Sequence, residues 1–265
     1  YYLIPTESWR YMFATGVLPA LLLLVGMLLL PSTPRWLLLS GQPKKALEVL
    51  SRIRPKKRVS EEWGEMLLSL NKKKVHWSAI FSKKVRPMLI VGLGLGVLQQ
   101  FSGINTVMYY GPVLFKMAGF SSATSQVLAT LGMGVVNTVM TIVMVLVVDR
   151  VGRRPLLIVG SLIAALSLGV MGYLFGPHGV GHFSHQLTII FMVCYVVGYC
   201  MSTGSLFWLI IAEIYPLDIR GQAMSFVTSV QWLANFGVAA IFLSVLKAVG
   251  PPHTFWLYRL MCWLT

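Results

Sequence analysis

Six long apolar stretches, none with an Asp, Glu, Lys, Arg or His in its interior, decide what this chain can become. They are Tyr11–Leu30, Met88–Met117, Ala123–Val148, Leu156–Phe175, Leu187–Ile211 and Ala223–Leu246. A helix needs roughly 20 apolar residues to cross the hydrocarbon of a bilayer, where every backbone N–H and C=O must be satisfied within the segment itself. Each stretch meets that length. A seventh, Thr254–Thr265, starts the same way but is too short to cross. Composition agrees, since charged residues make up 11% of the chain, against about 25% in a soluble domain. Too few charges remain to coat a water-facing surface. Cys194, Cys200 and Cys262 all lie in apolar runs and read as small hydrophobes, not as a disulfide framework. The expectation is an all-α membrane protein.

The formal charge of +14 raises the question of nucleic acid, and its placement answers against it. Fourteen of the 22 Lys and Arg residues fall between Arg35 and Arg86, with only Glu48, Glu61, Glu62 and Glu65 to oppose them. Basic residues also mark the third connection (Arg150, Arg153, Arg154) and the fifth (Arg220), while the second, fourth and sixth hold only Lys116 and Lys247 near their margins. Basic loops are retained on the cytoplasmic side. Odd connections are therefore expected inside and even ones outside, with Tyr1–Arg10 outside. Blocks such as Lys72-Lys73-Lys74 are topology determinants on this reading, within reach of anionic lipid heads.

No basic n-region precedes the first apolar run, so a cleavable signal is not expected in this stretch. Its start resembles an extracellular loop feeding a helix, the middle of a longer protein. Together with the clipped seventh stretch, this reads as a fragment or a truncated product. Three regions follow: 1–33, an outer loop end and one span; 34–86, a helical cytoplasmic loop; and 87–265, a transmembrane bundle with its last span cut short. Within the loop, Pro43–Leu50 and Glu61–Leu70 are expected as short amphipathic helices, Pro43 standing at a tolerated first-turn position.

Enzyme signatures are missing. There is no G-x-S-x-G, H-E-x-x-H or C-x-x-C. Gly92-Leu93-Gly94-Leu95-Gly96 lacks the spacing and the preceding strand of a dinucleotide loop and reads as small residues for close helix packing. His178, His182 and His185 cluster in the fourth connection, compatible with a metal but also with a solvated Gly-rich loop.

What stands out is uncharged polarity within the spans. The second reads Gln99-Gln100-Phe101-Ser102-Gly103-Ile104-Asn105-Thr106, followed by Tyr109, Tyr110 and Pro112. Unpaired amides are costly in hydrocarbon, so such a cluster must face a cavity or another helix. On an ideal helix Gln99, Ser102, Gly103, Thr106 and Tyr110 share a face, and Asn105 falls about 120° from Gln99. Bringing both amides to one cavity requires a distortion, for which Gly103 and Pro112 offer the means. Asn137, Thr138 and Thr141 add polarity to the third span. Tyr195, Tyr199, Ser202, Thr203, Gly204 and Trp208 do so in the fifth, and Thr228, Gln231, Trp232 and Asn235 form one stripe on the sixth.

Amides donate and accept, as sugar hydroxyls do, while Trp and Tyr offer flat faces to the C–H side of a sugar ring. Without charge, such a cavity disfavours phosphates and carboxylates; a neutral polyol fits it. Spans two to four and five to seven also form two triplets whose first members are both interrupted by Gly or Pro, the best sequence pointer to a transporter's midplane site.

The chain resembles the sugar porter family of the major facilitator superfamily, in detail its bacterial D-xylose–proton symporters. Four motifs carry the resemblance: Pro31-Ser32-Thr33-Pro34-Arg35-Trp36-Leu37; Gln99 to Asn105 with Tyr109-Tyr110; Asp149-Arg150-Val151-Gly152-Arg153-Arg154; and Gly204 and Trp208 with Glu213-Ile214-Tyr215-Pro216-Leu217-Asp218-Ile219-Arg220-Gly221. The resemblance implies a six-helix C-terminal bundle preceded by one further span and the helical loop, with no cofactor and no metal. It implies sugar hydroxyl contacts for Gln99, Gln100, Asn105, Asn137 and Gln231, aromatic packing or gating for Tyr109, Trp208 and Trp232, and close approach of backbone to sugar at Gly204. It implies a cytoplasmic salt-bridge latch from Asp149, Arg150, Arg153, Arg154, Glu213 and Arg220.

The pattern departs from the family at Ser32, where an acid is usual, at Ser205 in place of a proline, and at Val145 in place of a glycine. The acid used for proton coupling belongs to spans outside this stretch. The function implied is transport of a neutral monosaccharide, a pentose or hexose, by alternating access in a bacterial inner membrane, proton-coupled in the complete protein, with membrane lipid and an N-terminal transmembrane half as partners. A non-transporting sugar receptor on the same fold and an inactive truncated transporter are the alternatives.

Overall fold

The computed structural model describes residues 14–70, 77–176 and 184–264. The expected outer segment Tyr1–Arg10, the block Lys72–Lys74, His178, His182 and the His185 side chain lie outside the described residues. The chain divides into two compact units, residues 1–74 and 75–265.

In the first unit, the helix α1 (Val17–Leu29) is the described part of the first expected span, and none of its residues is buried. Then come α2 (Pro34–Leu39), α3 (Pro43–Ile53) and α4 (Lys56–Leu70). Pro34 and Pro43 each open a helix, where the missing N–H costs nothing. The Thr33 hydroxyl caps α2 by accepting from the Trp36 N–H at 3.4 Å. Leu37, Leu38, Ala46 and Val49 form a small apolar core with Trp63 and Met66 against it. Glu48 pairs with Arg52 at 2.8 Å and Arg54 with Glu62 at 3.0 Å. Both helices expected in the loop are present, each longer than the sequence reading drew it.

In the second unit, the stretch 75–86, part of the loop in the sequence reading, groups with the bundle. Ile80 and Val85 are buried there, and Phe81 meets Phe226 edge-on. The second span is three helices: α5 (Arg86–Phe101), α6 (Ile104–Tyr109) and α7 (Gly111–Met117). The third and fourth are α8 (Ala123–Val151) and α9 (Arg153–Leu174). The fifth is α10 (Ser184–Tyr199), a π turn over Cys200–Gly204, and α11 (Ser205–Ile214). The sixth is α12 (Arg220–Val249), and α13 (Pro251–Trp263) covers the seventh stretch. Five of these segments are long and apolar enough to cross a membrane.

The helices pack through small residues. A Cβ on Gly160 would come within 2.6 Å of the Gly198 carbonyl, and one on Gly198 within 2.6 Å of the Ala164 nitrogen. The α9 and α10 backbones therefore touch, as small-residue seams between apolar helices allow. Gly92 and Gly96, one turn apart on α5, seat Tyr215 and Phe207, whereas Gly94 faces open space. The glycine triplet is a packing face with one outward member. α5 lies on α12, and α9 lies on α10 and α13. The π turn touches α5, α8, α9, α10 and α11, so the break in the fifth span sits at the centre of the bundle.

Candidate functional site

Two helix breaks position the polar residues. In the second span Gly103 adopts φ of 87°, a left-handed conformation that costs a side-chain-bearing residue. The carbonyl of Ser102, freed at the break, accepts the Tyr195 hydroxyl at 2.8 Å. Beyond the turn, Asn105 swings back to donate to the Gln100 Oε1 at 2.7 Å and to the Asn235 Oδ1 at 3.2 Å. An ideal helix would hold Asn105 about 140° from Gln100; the turn brings these two amides into hydrogen bond, while Gln99 stays on the other side with Thr203 and Gln231.

In the fifth span the break falls at Ser202, whose φ and ψ of −104° and −117° are not helical. Its hydroxyl donates to the Gly198 and Tyr199 carbonyls at 2.9 and 3.3 Å, a back-bond that bends helices. The bend thus forms three residues before Ser205, without a proline. Gly204 is required by its neighbour, since a Cβ there would meet the Tyr199 ring and carbonyl at 2.7 and 2.8 Å.

Between the breaks lies a cavity of about 380 Å³ lined by Ile104, Asn105, Met108, Gly134, Asn137, Thr141, Tyr199, Cys200 and Gly204. No lining residue is charged. The cavity gathers Asn105, Asn137 and Gly204 from the residues singled out in the sequence. Gln99, Gln100 and Gln231 stand behind it, all buried. Gln99 donates to the Thr203 carbonyl at 2.8 Å and accepts from the Gln231 Nε2 at 3.1 Å. The Gln231 Oε1 is buried with no hydrogen-bond partner among the described residues.

Tyr109, Trp208 and Trp232 do not line this cavity; they are 58%, 43% and 54% exposed. Trp208 packs edge-on against Phe207. Tyr199, Thr141 and Asn235 join the site although the sequence reading did not select them as contacts. Their signal was available: Asn235 lies one turn beyond Gln231, and Thr141 one turn beyond Asn137.

At the other end of these helices, Asp149 and Arg150 close α8 and Arg153 opens α9, with only Gly152, at φ of 91°, between them. The expected loop is thus a single-residue junction. Arg153 bridges Asp149 at 3.3 Å and Glu213 at 2.8 Å, linking α8 and α9 to α11. Arg220 instead donates through Nε to the Tyr215 carbonyl at 3.3 Å. Arg150, Arg154 and Arg220 make no ion pair among the described residues. Those residues also hold no cluster of His, Cys, Asp and Glu fit for a metal.

Crossing helices with two internal breaks, and a neutral polar cavity between the breaks, define a multi-pass membrane protein of the major facilitator type. The chain belongs to the family described as sugar (and other) transporters, which matches it over residues 2–265. It is 35% identical over 266 residues to the probable metabolite transport protein CsbC of Bacillus subtilis (strain 168), covering 100% of this chain and 58% of that protein. It is 36% identical over 258 residues to the galactose-proton symporter of Escherichia coli (strain K12), covering 96% of this chain and 55% of that one. Among solved structures, the proton:xylose symporter XylE bound to 6-bromo-6-deoxy-D-glucose matches with a TM-score of 0.79 at 31% identity, over 98% of this chain and 55% of that one. The chain spans a little over half the length of these relatives. They are transporters, not enzymes.

Proposed function

We propose that this chain forms the sugar-holding portion of a transporter that moves a neutral pentose or hexose by alternating access. The observation that carries the reading is the cavity at the two helix breaks. Its polar groups are amide, hydroxyl, thiol and backbone, none of them charged, which match sugar hydroxyls and give a charged substrate no counter-ion. Asn105 and Asn137 contact the sugar directly, and Gly204 lets the backbone come close. Gln99, Gln100 and Gln231 hold those groups and supply the Gln231 carbonyl oxygen. The exposed rings of Tyr109, Trp208 and Trp232 pack on the sugar or close over it in the complete protein. Arg153, with Glu213 and Asp149, forms a cytoplasmic latch that favours one of the two access states, with Arg150, Arg154 and Arg220 beside it. The names of the galactose-proton and proton:xylose symporters support proton coupling, and a bacterial inner membrane is the proposed setting.

The test is uptake of labelled xylose, arabinose, galactose and glucose by cells or vesicles carrying the full-length protein, with and without a protonophore. Uptake abolished by the protonophore supports symport, and uptake that persists down the gradient supports facilitated diffusion. Sugar binding without uptake would turn the reading toward a receptor. Absence of any sugar binding would remove it.

A further inference from the structure

Arg259 stands apart from the sugar reading. It lies in α13 (Pro251–Trp263), eight residues after Pro251 and so about 12 Å along the helix. A cation at membrane depth is costly unless it finds a partner or reaches the interface. Arg259 has no carboxylate partner among the described residues, and it is half-buried.

Its side chain is well placed. Cδ, Nε and Cζ press on Gly169 of α9, where a Cβ would come within 3.2–3.3 Å of them. Its guanidinium carbon lies 5.6 Å from the centre of the Trp256 ring, one turn nearer the start of α13. Helical side chains lean toward the N-terminus of their helix. By the alternation of charged connections, that end of α13 and the Leu174 end of α9 both face the outside. Arg259 therefore reaches from within the membrane toward the outer interface.

Beneath it runs a groove of about 370 Å³ lined by Trp256, Arg259, Leu260, Trp263 and Leu264. Arg259 is its one charged residue. In order along α13, the groove presents an interfacial indole, a cation and then apolar side chains descending into the bilayer. A phospholipid has the same order of headgroup, phosphate and acyl chain. We propose that Arg259 holds the phosphate of an outer-leaflet phospholipid whose acyl chain lies along Leu260, Trp263 and Leu264. Guanidinium suits this role because it donates to two phosphate oxygens at once. A headgroup without its own cation leaves the whole phosphate charge for Arg259, so phosphatidylglycerol is favoured over phosphatidylcholine.

The test is native mass spectrometry of the whole chain, released from detergent after equilibration with dioleoylphosphatidylglycerol, dioleoylphosphatidylcholine or dioleoylglycerol. The wild-type chain should retain one phosphatidylglycerol, preferred over phosphatidylcholine by about fivefold, the effect expected of one basic residue at an anionic lipid surface. It should retain no dioleoylglycerol. Arg259→Gln and Arg259→Leu should lose that preference, Arg259→Lys should keep part of it, and Lys247→Leu should leave it unchanged. Equal retention of dioleoylglycerol and phosphatidylglycerol by the wild type would overturn the proposal without any variant having to fold. An unchanged preference in Arg259→Gln would do the same. Neither result bears on sugar binding, which is read at a different site.

Discussion

Replacing Gly103 by Ala asks whether the cavity depends on the broken second span. At φ of 87°, an alanine bears the left-handed penalty of roughly 1–2 kcal/mol. Its methyl would also fall against the Tyr258 ring, at 2.8 Å from Cγ, and overpacking of this kind costs about 1–3 kcal/mol. The expected loss is therefore about 2–5 kcal/mol, measured by unfolding purified protein in mixed micelles of rising denaturing detergent. The two contributions separate in a double-mutant cycle. With Tyr258 already truncated to Ala, the same change at Gly103 should cost only the backbone part, about 1–2 kcal/mol. In the full-length protein, sugar affinity should fall at least about tenfold, because Asn105 would leave Gln100 and Asn235. A Gly103→Ala protein of parental stability and affinity would refute the argument that left-handed geometry builds this site.

Three further outcomes follow from the same geometry. Asn137→Ala and Gln100→Ala should each weaken sugar binding about tenfold to a hundredfold in the full-length protein with expression near normal; equilibrium binding at parental strength in both would mean that the amides serve packing alone. Glu213→Gln removes the negative charge of the 2.8 Å partner of Arg153 and should shift the balance of access states severalfold while sparing sugar affinity, so accessibility labelling that finds the two states in unchanged proportion would dismiss the latch. Single cysteines placed between Lys44 and Lys84 should stay unlabelled by an impermeant reagent added outside intact cells, and labelling there would invert the topology.

Much of the fold was legible because a bilayer allows few solutions. Long uncharged apolar runs can only be helices, and the five crossing segments fall where those runs lie. A break at Gly103 was legible too, from amides on opposite sides of an ideal helix, although it brings Asn105 to Gln100 and leaves Gln99 outside the cavity. Less legible was which amide faces the space and which stands behind it. Gln99 and Gln100 look like contacts in sequence, yet both are buried and engaged with other protein groups. That distinction depends on a break in another span: Gln99 is engaged because the Cys200–Gly204 turn presents the Thr203 carbonyl to it. A single span carries no information about carbonyls freed elsewhere. The same limit applies to Arg220, whose partner is a backbone carbonyl in its own turn, not a carboxylate across helices.

The breaks and the amides are one device. A broken helix frees backbone groups that hydrocarbon cannot satisfy, so each break must be surrounded by side chains able to pair with it. Tyr195 does this for the Ser102 carbonyl and Gln99 for that of Thr203. Polar side chains recruited for that purpose make the neighbourhood hospitable to a polar ligand, but those already engaged have less to offer it. Hydrogen-bonding capacity for a ligand is therefore greatest at the groups left over. These are the Asn137 side chain and the Asn105 Oδ1, both on residues of the cavity wall; the Gln231 Oε1 lacks a partner among the described residues but is buried behind that wall. On this reasoning Gln99→Ala should damage folding at least as much as binding, because it strands both the Thr203 carbonyl and the Gln231 amide. Asn137→Ala should affect binding alone. Comparing the two for stability and affinity separates the groups that hold the break open from the groups that hold the ligand. Equal effects of both substitutions on both measurements would show that the site makes no such division.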